Sequence, residues 1–147
     1  MAIPKRLDTA LIKLYRAFNN NSLNPECCQQ CAVGNILDNQ DFWKHFSSDH
    51  GSLKLSYVGL VHQNLGRRFN GYTPLELLRI EFSFLEGCGY QLPFHYKNTK
   101  PKNPTDKDVL FNGLVAVIKL LSDMEDIENP TKITNLFKRN IENFVFD

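Results

Sequence analysis

The sequence predicts an all-α fold, a single-domain bundle or orthogonal array of five to six helices over residues 1–147. Apolar residues recur at three- and four-residue spacing in most segments, and proline and capping residues open several of them. No stretch sustains the two-residue alternation of a sheet. A chain of 147 residues with 42% hydrophobic and 22% charged side chains has the size and composition of one domain with a conventional core.

The first helix follows from Leu7, Leu11, Leu14, Tyr15 and Phe18, one buried face that ends at Asn19-Asn20-Asn21. Asn24-Pro25-Glu26 offers an N-cap, a proline at the first helical position and an early acid, which predicts a second helix through about Leu37. A short turn beginning at Asp41 carries Phe42, Trp43 and Phe46, and residues 47–51 break the pattern. Ser52 to Ser56 alternates as a short strand would, whereas Val58, Val61, Leu65 and Phe69 keep helical spacing; a helix from about Tyr57 is the better fit. Thr73-Pro74-Leu75-Glu76 is a capping box with proline at the first position, and the helix behind it is expected to bury Leu75, Leu78, Phe82 and Leu85. Gly87 and Gly89 stop it on either side of Cys88.

Residues 90–104, with Pro93, Pro101, Pro104, Lys97, Lys100 and Lys102, read as an exposed loop. Asn103-Pro104-Thr105-Asp106 opens the next helix, with Leu110, Leu114, Val117 and Leu121 as its inner stripe. Asn129-Pro130 opens a last one, carrying Ile133, Leu136, Phe137, Ile141 and Phe144.

Composition narrows the function. A formal net charge of +1 argues against a nucleic-acid or membrane-surface binder that draws its affinity from a large basic field. Met1 to Arg6 lacks the apolar run and cleavage site of a secretory signal, and no segment approaches the roughly 18 apolar residues of a membrane span. A cytoplasmic protein without a membrane span is expected, with its cysteines as thiols or metal ligands.

Cys27, Cys28 and Cys31 are the chemically suggestive group. On a continuous helix they would occupy one arc of about 100°, shared with Asn35 and Asp38 and away from the apolar residues Ala32, Val33, Ile36 and Leu37. Cys27 and Cys28 would fall in the first turn, where free N–H groups and the helix dipole favour a thiolate. Cys88 supplies a fourth sulfur, and His50 or His62 can take the place of one ligand; His45 and His95 are further imidazoles. Zinc or an iron–sulfur cluster at Cys27, Cys28, Cys31 and Cys88, redox-active thiols, and plain packing of small hydrophobic side chains are the readings this pattern leaves open. Paired zinc knuckles are not present, and Cys28-x-x-Cys31 lacks the strand and helix context of a thioredoxin-like motif.

The remaining constellations are weaker. A lone His62 beside Val61 is more often a core residue than a ligand. Glu76, Glu81 and Glu86 rotate by about 140° from one to the next and do not converge, so solvated positions are expected. Arg67, Arg68, Phe69, Gly71 and Tyr72, with the lysine loop, allow a basic and aromatic surface, though ordinary solvated charge is the plainer reading and nucleic acid is not the expected partner. A protein partner is compatible with either reading. No nucleophile elbow, P-loop or dinucleotide-binding glycine fingerprint is present.

The segments 24–28, 31–37 and 57–66, together with Asn103-Pro104-Thr105-Asp106-Lys107-Asp108 and Leu110 to Leu114, resemble a family of short bacterial proteins named after the F component of Na(+)-translocating NADH-quinone reductase. The likeness covers nearly the whole chain, and the name implies an accessory role in NADH-quinone reduction. A plant-type [2Fe–2S] centre needs Cys-x4-Cys-x2-Cys with a later fourth cysteine, whereas this chain has Cys-Cys-x2-Cys. From the residues themselves, neither bound flavin nor NAD is expected.

Overall fold

The computed structural model describes residues 4–92 and 97–125. Within them the chain forms α1 (Lys5–Asn19), α2 (Ala32–Ile36), a 3₁₀ turn (Phe42–Phe46), α3 (Tyr57–Asn64), α4 (Pro74–Cys88) and α5 (Lys107–Met124). The protein is all-α among the described residues. Its only β-type pairings there are two isolated bridges, Ser47 with Leu55 and Phe69 with Tyr72, so the alternation at 52–56 is an extended approach to α3 and not a strand. No helix among the described residues is long and apolar enough to cross a membrane.

Helix starts follow local chemistry. Thr73 caps α4 in the expected box, its hydroxyl accepting from Glu76 N while the Glu76 carboxylate accepts from Thr73 N. Ser56 and Asp106 cap α3 and α5 in the same side-chain manner. Gly89, at φ 104°, ends α4 in the left-handed conformation. α1 buries Leu7, Leu11, Leu14 and Phe18 as its spacing requires.

The second helix is much shorter than the sequence predicts. Asn24 does not cap a helix: its Oδ1 accepts from Glu26 N, its carbonyl from Cys27 N, and its own N–H donates to Gln30 O at 2.7 Å. These bonds close residues 24–30 into a compact turn, an alternative that short polar side chains offer the backbone. Cys31 is then extended (φ −73°, ψ −176°), and α2 begins only after it. Asn35 holds the junction by donating to Gln30 O and Cys31 O.

α4 is the central element. It packs along α5 and also meets α2, α3 and the 3₁₀ turn, so its buried arc is wider than one stripe. Leu77, Leu78, Ile80, Glu81, Phe84, Leu85 and Cys88 face inward, whereas Leu75 is exposed and Phe82 only half-buried. Of the expected stripe, Leu78 and Leu85 are buried, whereas Leu75 and Phe82 lie toward its outer edge, because neighbouring elements cover the opposite flank. The stripe of α5 is as expected, with Leu110, Leu114, Val117 and Leu121 buried.

Arg6 ties the ends of three helices together. Its guanidinium donates to Glu125, to Gly71 O at 2.8 Å and to Glu76, and lies over the Tyr72 ring at 4.6 Å. Part of the proline and lysine loop lies outside the described residues; the rest is mostly exposed and pinned at its base, where Gln91 N donates to Thr99 O at 2.8 Å. The helix expected after Asn129-Pro130 lies outside the described residues, as does His95.

α4 and α5 pack closely at Gly113, where an added Cβ would stand 2.5 Å from Cys88 Sγ and 2.8 Å from Phe84. Gly113→Ala is expected to destabilise the protein by about 1–3 kcal/mol through overpacking. Urea denaturation checks this, and an unchanged midpoint would mean the helices are not in such close contact.

Candidate metal centre

Three segments that are distant in sequence place polar side chains at one buried point. The first is the N-terminus of α2, where Cys31 serves as the N-cap and its Sγ accepts from Gly34 N at 3.3 Å. The second is the loop between the 3₁₀ turn and α3, which carries His50. The third is the middle of α4, which carries Glu81. One ligating atom from each of Cys31, His50 and Glu81 lies within 4.8 Å of the other two.

Burial makes this arrangement unusual. Cys31 is 0% exposed and Glu81 1%, and a carboxyl group so deep in a protein requires partners. Glu81 Oε2 is 2.9 Å from His50 Nε2, and Oε1 accepts from Val33 N at 3.4 Å. The His50 ring stands edge-on to Trp43 with centroids 5.8 Å apart, and the Trp43 indole N–H donates to Cys28 O at 3.0 Å. The indole thus holds both the imidazole and the turn that leads to Cys31.

Of the residues singled out from the sequence, Cys31 and His50 meet here. Cys27 and Cys28 are half-buried in the 24–30 turn and not on a helix with Cys31, so the expected common arc of thiols does not form. Cys88 is buried where α4 faces Gly113. His62 lies between Phe46 and Phe69, and its Nδ1 accepts from the Arg67 guanidinium at 3.1 Å. All four cysteines are free.

Two expectations are corrected. Glu81 is not solvated like Glu86; it lies at the centre of the inner face of α4. The signal was present, since Leu77, Leu78, Phe84 and Leu85 flank it at three- and four-residue spacing and mark position 81 as inward. Nor do Cys28, Cys31 and Cys88 sit where a thiolate is favoured. Burial above all, and then the charge of Glu81, push the Cys31 thiol well above its ordinary 9.0, against a smaller opposing effect of the Gly34 N–H. Burial and Glu81 likewise raise Cys28, and they push Cys88 up to about 12.

The basic and aromatic surface does not form as a stacking platform. Tyr72 is fully buried and Phe69 packs against Phe42 and Phe46, leaving Arg67 and Arg68 exposed. Searches of protein-family models, curated proteins and solved structures find no match to this chain.

Cys31 and Cys88 hold their protons more tightly when folded than when unfolded. Their contribution to stability is present below the ordinary thiol value of 9.0 and is lost as pH rises toward the folded values, about 12 for Cys88. The metal-free protein is therefore expected to lose stability as pH rises above 9.0, and Cys88→Ala to lessen the slope. Denaturation midpoints measured across that range test this; identical slopes for the two proteins would contradict it.

Proposed function

We propose that this chain holds one divalent transition-metal ion, zinc foremost, with Cys31, His50 and Glu81 as its protein ligands. The observation that carries the reading is the convergence of a thiol, an imidazole and a carboxylate from three separate segments, two of them almost wholly buried. Sulfur, nitrogen and oxygen in that combination suit a borderline-soft ion, and three protein ligands leave one coordination position for water or another donor. A group containing one thiol suits a single ion better than an iron–sulfur cluster, which is held mainly by cysteines.

An ion would draw together three atoms that already lie within 4.8 Å of one another. Ligand atoms about 2.0–2.3 Å from a tetrahedral zinc stand roughly 3.3–3.6 Å apart. The His50 and Glu81 atoms, at 2.9 Å, would open by roughly 0.4 Å as the ion replaces their hydrogen bond. His50 is the exposed edge of the group, with 21% of its side chain accessible, and is the side from which an ion arrives. The role that follows is a clasp: the ion joins the start of α2, the loop before α3 and the middle of α4, and its binding energy becomes folding energy. Binding must displace the Cys31 proton, so affinity rises with pH.

Protein purified without a histidine tag and stripped with chelator is expected to take up one equivalent of zinc and to melt at a higher temperature. At a thousand-fold excess over Kd the gain is about 4 kcal/mol. Cobalt in place of zinc should give a sulfur-to-metal charge-transfer band. Cys31→Ser should abolish the band and Glu81→Gln weaken binding, while Cys88→Ser leaves the stoichiometry unchanged. Absence of both zinc uptake and the cobalt band in the full chain would overturn the proposal.

A further inference from the structure

The amphipathic pattern of α3 is oriented opposite to that of a core helix. With Tyr57 at zero, Leu60, Val61, Leu65 and Val58 fall between about −60° and 100°, a mostly apolar arc, interrupted by Asn64, of the kind that ordinarily faces the core. Here the same residues are exposed: Tyr57 89%, Val58 49%, Leu60 42%, Val61 56% and Leu65 61%. The side facing the protein is Gly59, whose added Cβ would lie 2.2 Å from Phe46 O, so the backbone itself packs against the 3₁₀ turn. The polar residues His62 and Gln63 also belong to that side. Gln63 Oε1 accepts from Leu75 N at 2.9 Å, and His62 packs on Phe46 and Phe69. Close packing on a glycine, one hydrogen bond and the ring contacts of His62 fix the helix with its apolar side outward.

The charged residues that flank this face along the chain have one sign. From His50 to Leu75 the chain contains no aspartate or glutamate. Lys54 precedes the helix and Arg67 follows it, both exposed, and among the described residues neither has a carboxylate partner. Arg68 lies beside Arg67, only loosely paired with Glu76 at 3.9 Å. An apolar centre with a cationic rim is the anatomy of a recognition surface whose counterpart is apolar with an anionic rim.

We infer that the outer face of α3 is a docking site for an acidic amphipathic protein segment, its apolar side against Tyr57, Leu60, Val61 and Leu65 and its carboxylates toward Lys54 and Arg67. Charge complementarity selects this occupant. Pairing α3 with α3 of a second copy would bring the cationic rims together, and three basic residues are fewer than the clusters of about four to eight that mark attachment to anionic lipid. The inference does not depend on the metal centre.

The test uses the full chain and two synthetic amphipathic helical peptides, each with a leucine face, one flanked by glutamates and one by lysines. The acidic peptide is expected to bind and the basic one not. Val61→Asp, a change at an exposed position, should weaken binding about ten-fold or more, and the double variant Lys54→Glu/Arg67→Glu should reverse the preference between the peptides. Equal binding of both peptides, or of neither, would overturn the inference. So would binding to phosphatidylserine vesicles in preference to the acidic peptide. Protection of Tyr57 from hydroxyl radicals in the isolated protein would do the same, because the face would then already be covered by the chain itself or by a second copy.

Discussion

The structure is organised around a carboxyl group in its core. Glu81 projects from the middle of the central helix into a region with almost no access to water, where an uncompensated charge costs several kcal/mol. It can be tolerated only if donors are brought to it, and two neighbouring segments supply them. Val33 N–H comes from the first turn of α2 and the imidazole from the loop after the 3₁₀ turn. Their positions are set in turn by Trp43, which bridges His50 and the carbonyl of Cys28, and by Asn35, which joins the 24–30 turn to α2. The loops on this side of the molecule are thus ordered by a polar requirement, whereas the α4–α5 side is ordered by close packing of apolar residues and glycine.

That division explains what was legible in the sequence. The starts of α3, α4 and α5 and the inner faces of α1 and α5 are local properties, written in capping side chains and three- and four-residue spacing. The length of α2 is not. Asn24-Pro25-Glu26 fits a helix start and an Asx-type turn equally well, and the turn prevails because Cys31 must be extended for its thiol to cap α2 and stand beside Glu81. Of the candidate ligands, Cys31 and His50 could be named as chemical types, but their meeting depends on tertiary contacts. Glu81 was hidden by its own polarity: a glutamate in a helix reads as solvated until the four leucine and phenylalanine neighbours at matching spacing are given more weight than its charge.

α3 presents the converse case. Its apolar spacing correctly gives a helix from Tyr57, but periodicity defines a face without saying where that face points. Direction is decided by Gly59, the one residue of the helix that lets its backbone press against Phe46 O. A side chain there would lift α3 from the 3₁₀ turn. Phe46, which receives Gly59, also lies against His62 and Phe69, so the outward apolar face and the closure of the 67–72 turn share one packing unit.

The same buried carboxylate links stability to ligand chemistry. Its oxygens are met by the Val33 N–H and the His50 ring nitrogen, and a divalent cation would take over the contact with the ring. Without an ion, Glu81 and burial keep Cys31 protonated, and the group is a hydrogen-bonded cluster. An ion bound there, as proposed, would outweigh Glu81 and hold the thiol as thiolate. Either arrangement would satisfy the interior, since each brings positive charge or hydrogen-bond donors to the carboxylate. An apolar residue at position 81 would remove the need for either. It would also leave the start of α2 and the His50 loop without the contact that draws them to α4, so the glutamate is better understood as the element that positions these segments than as a defect the core tolerates.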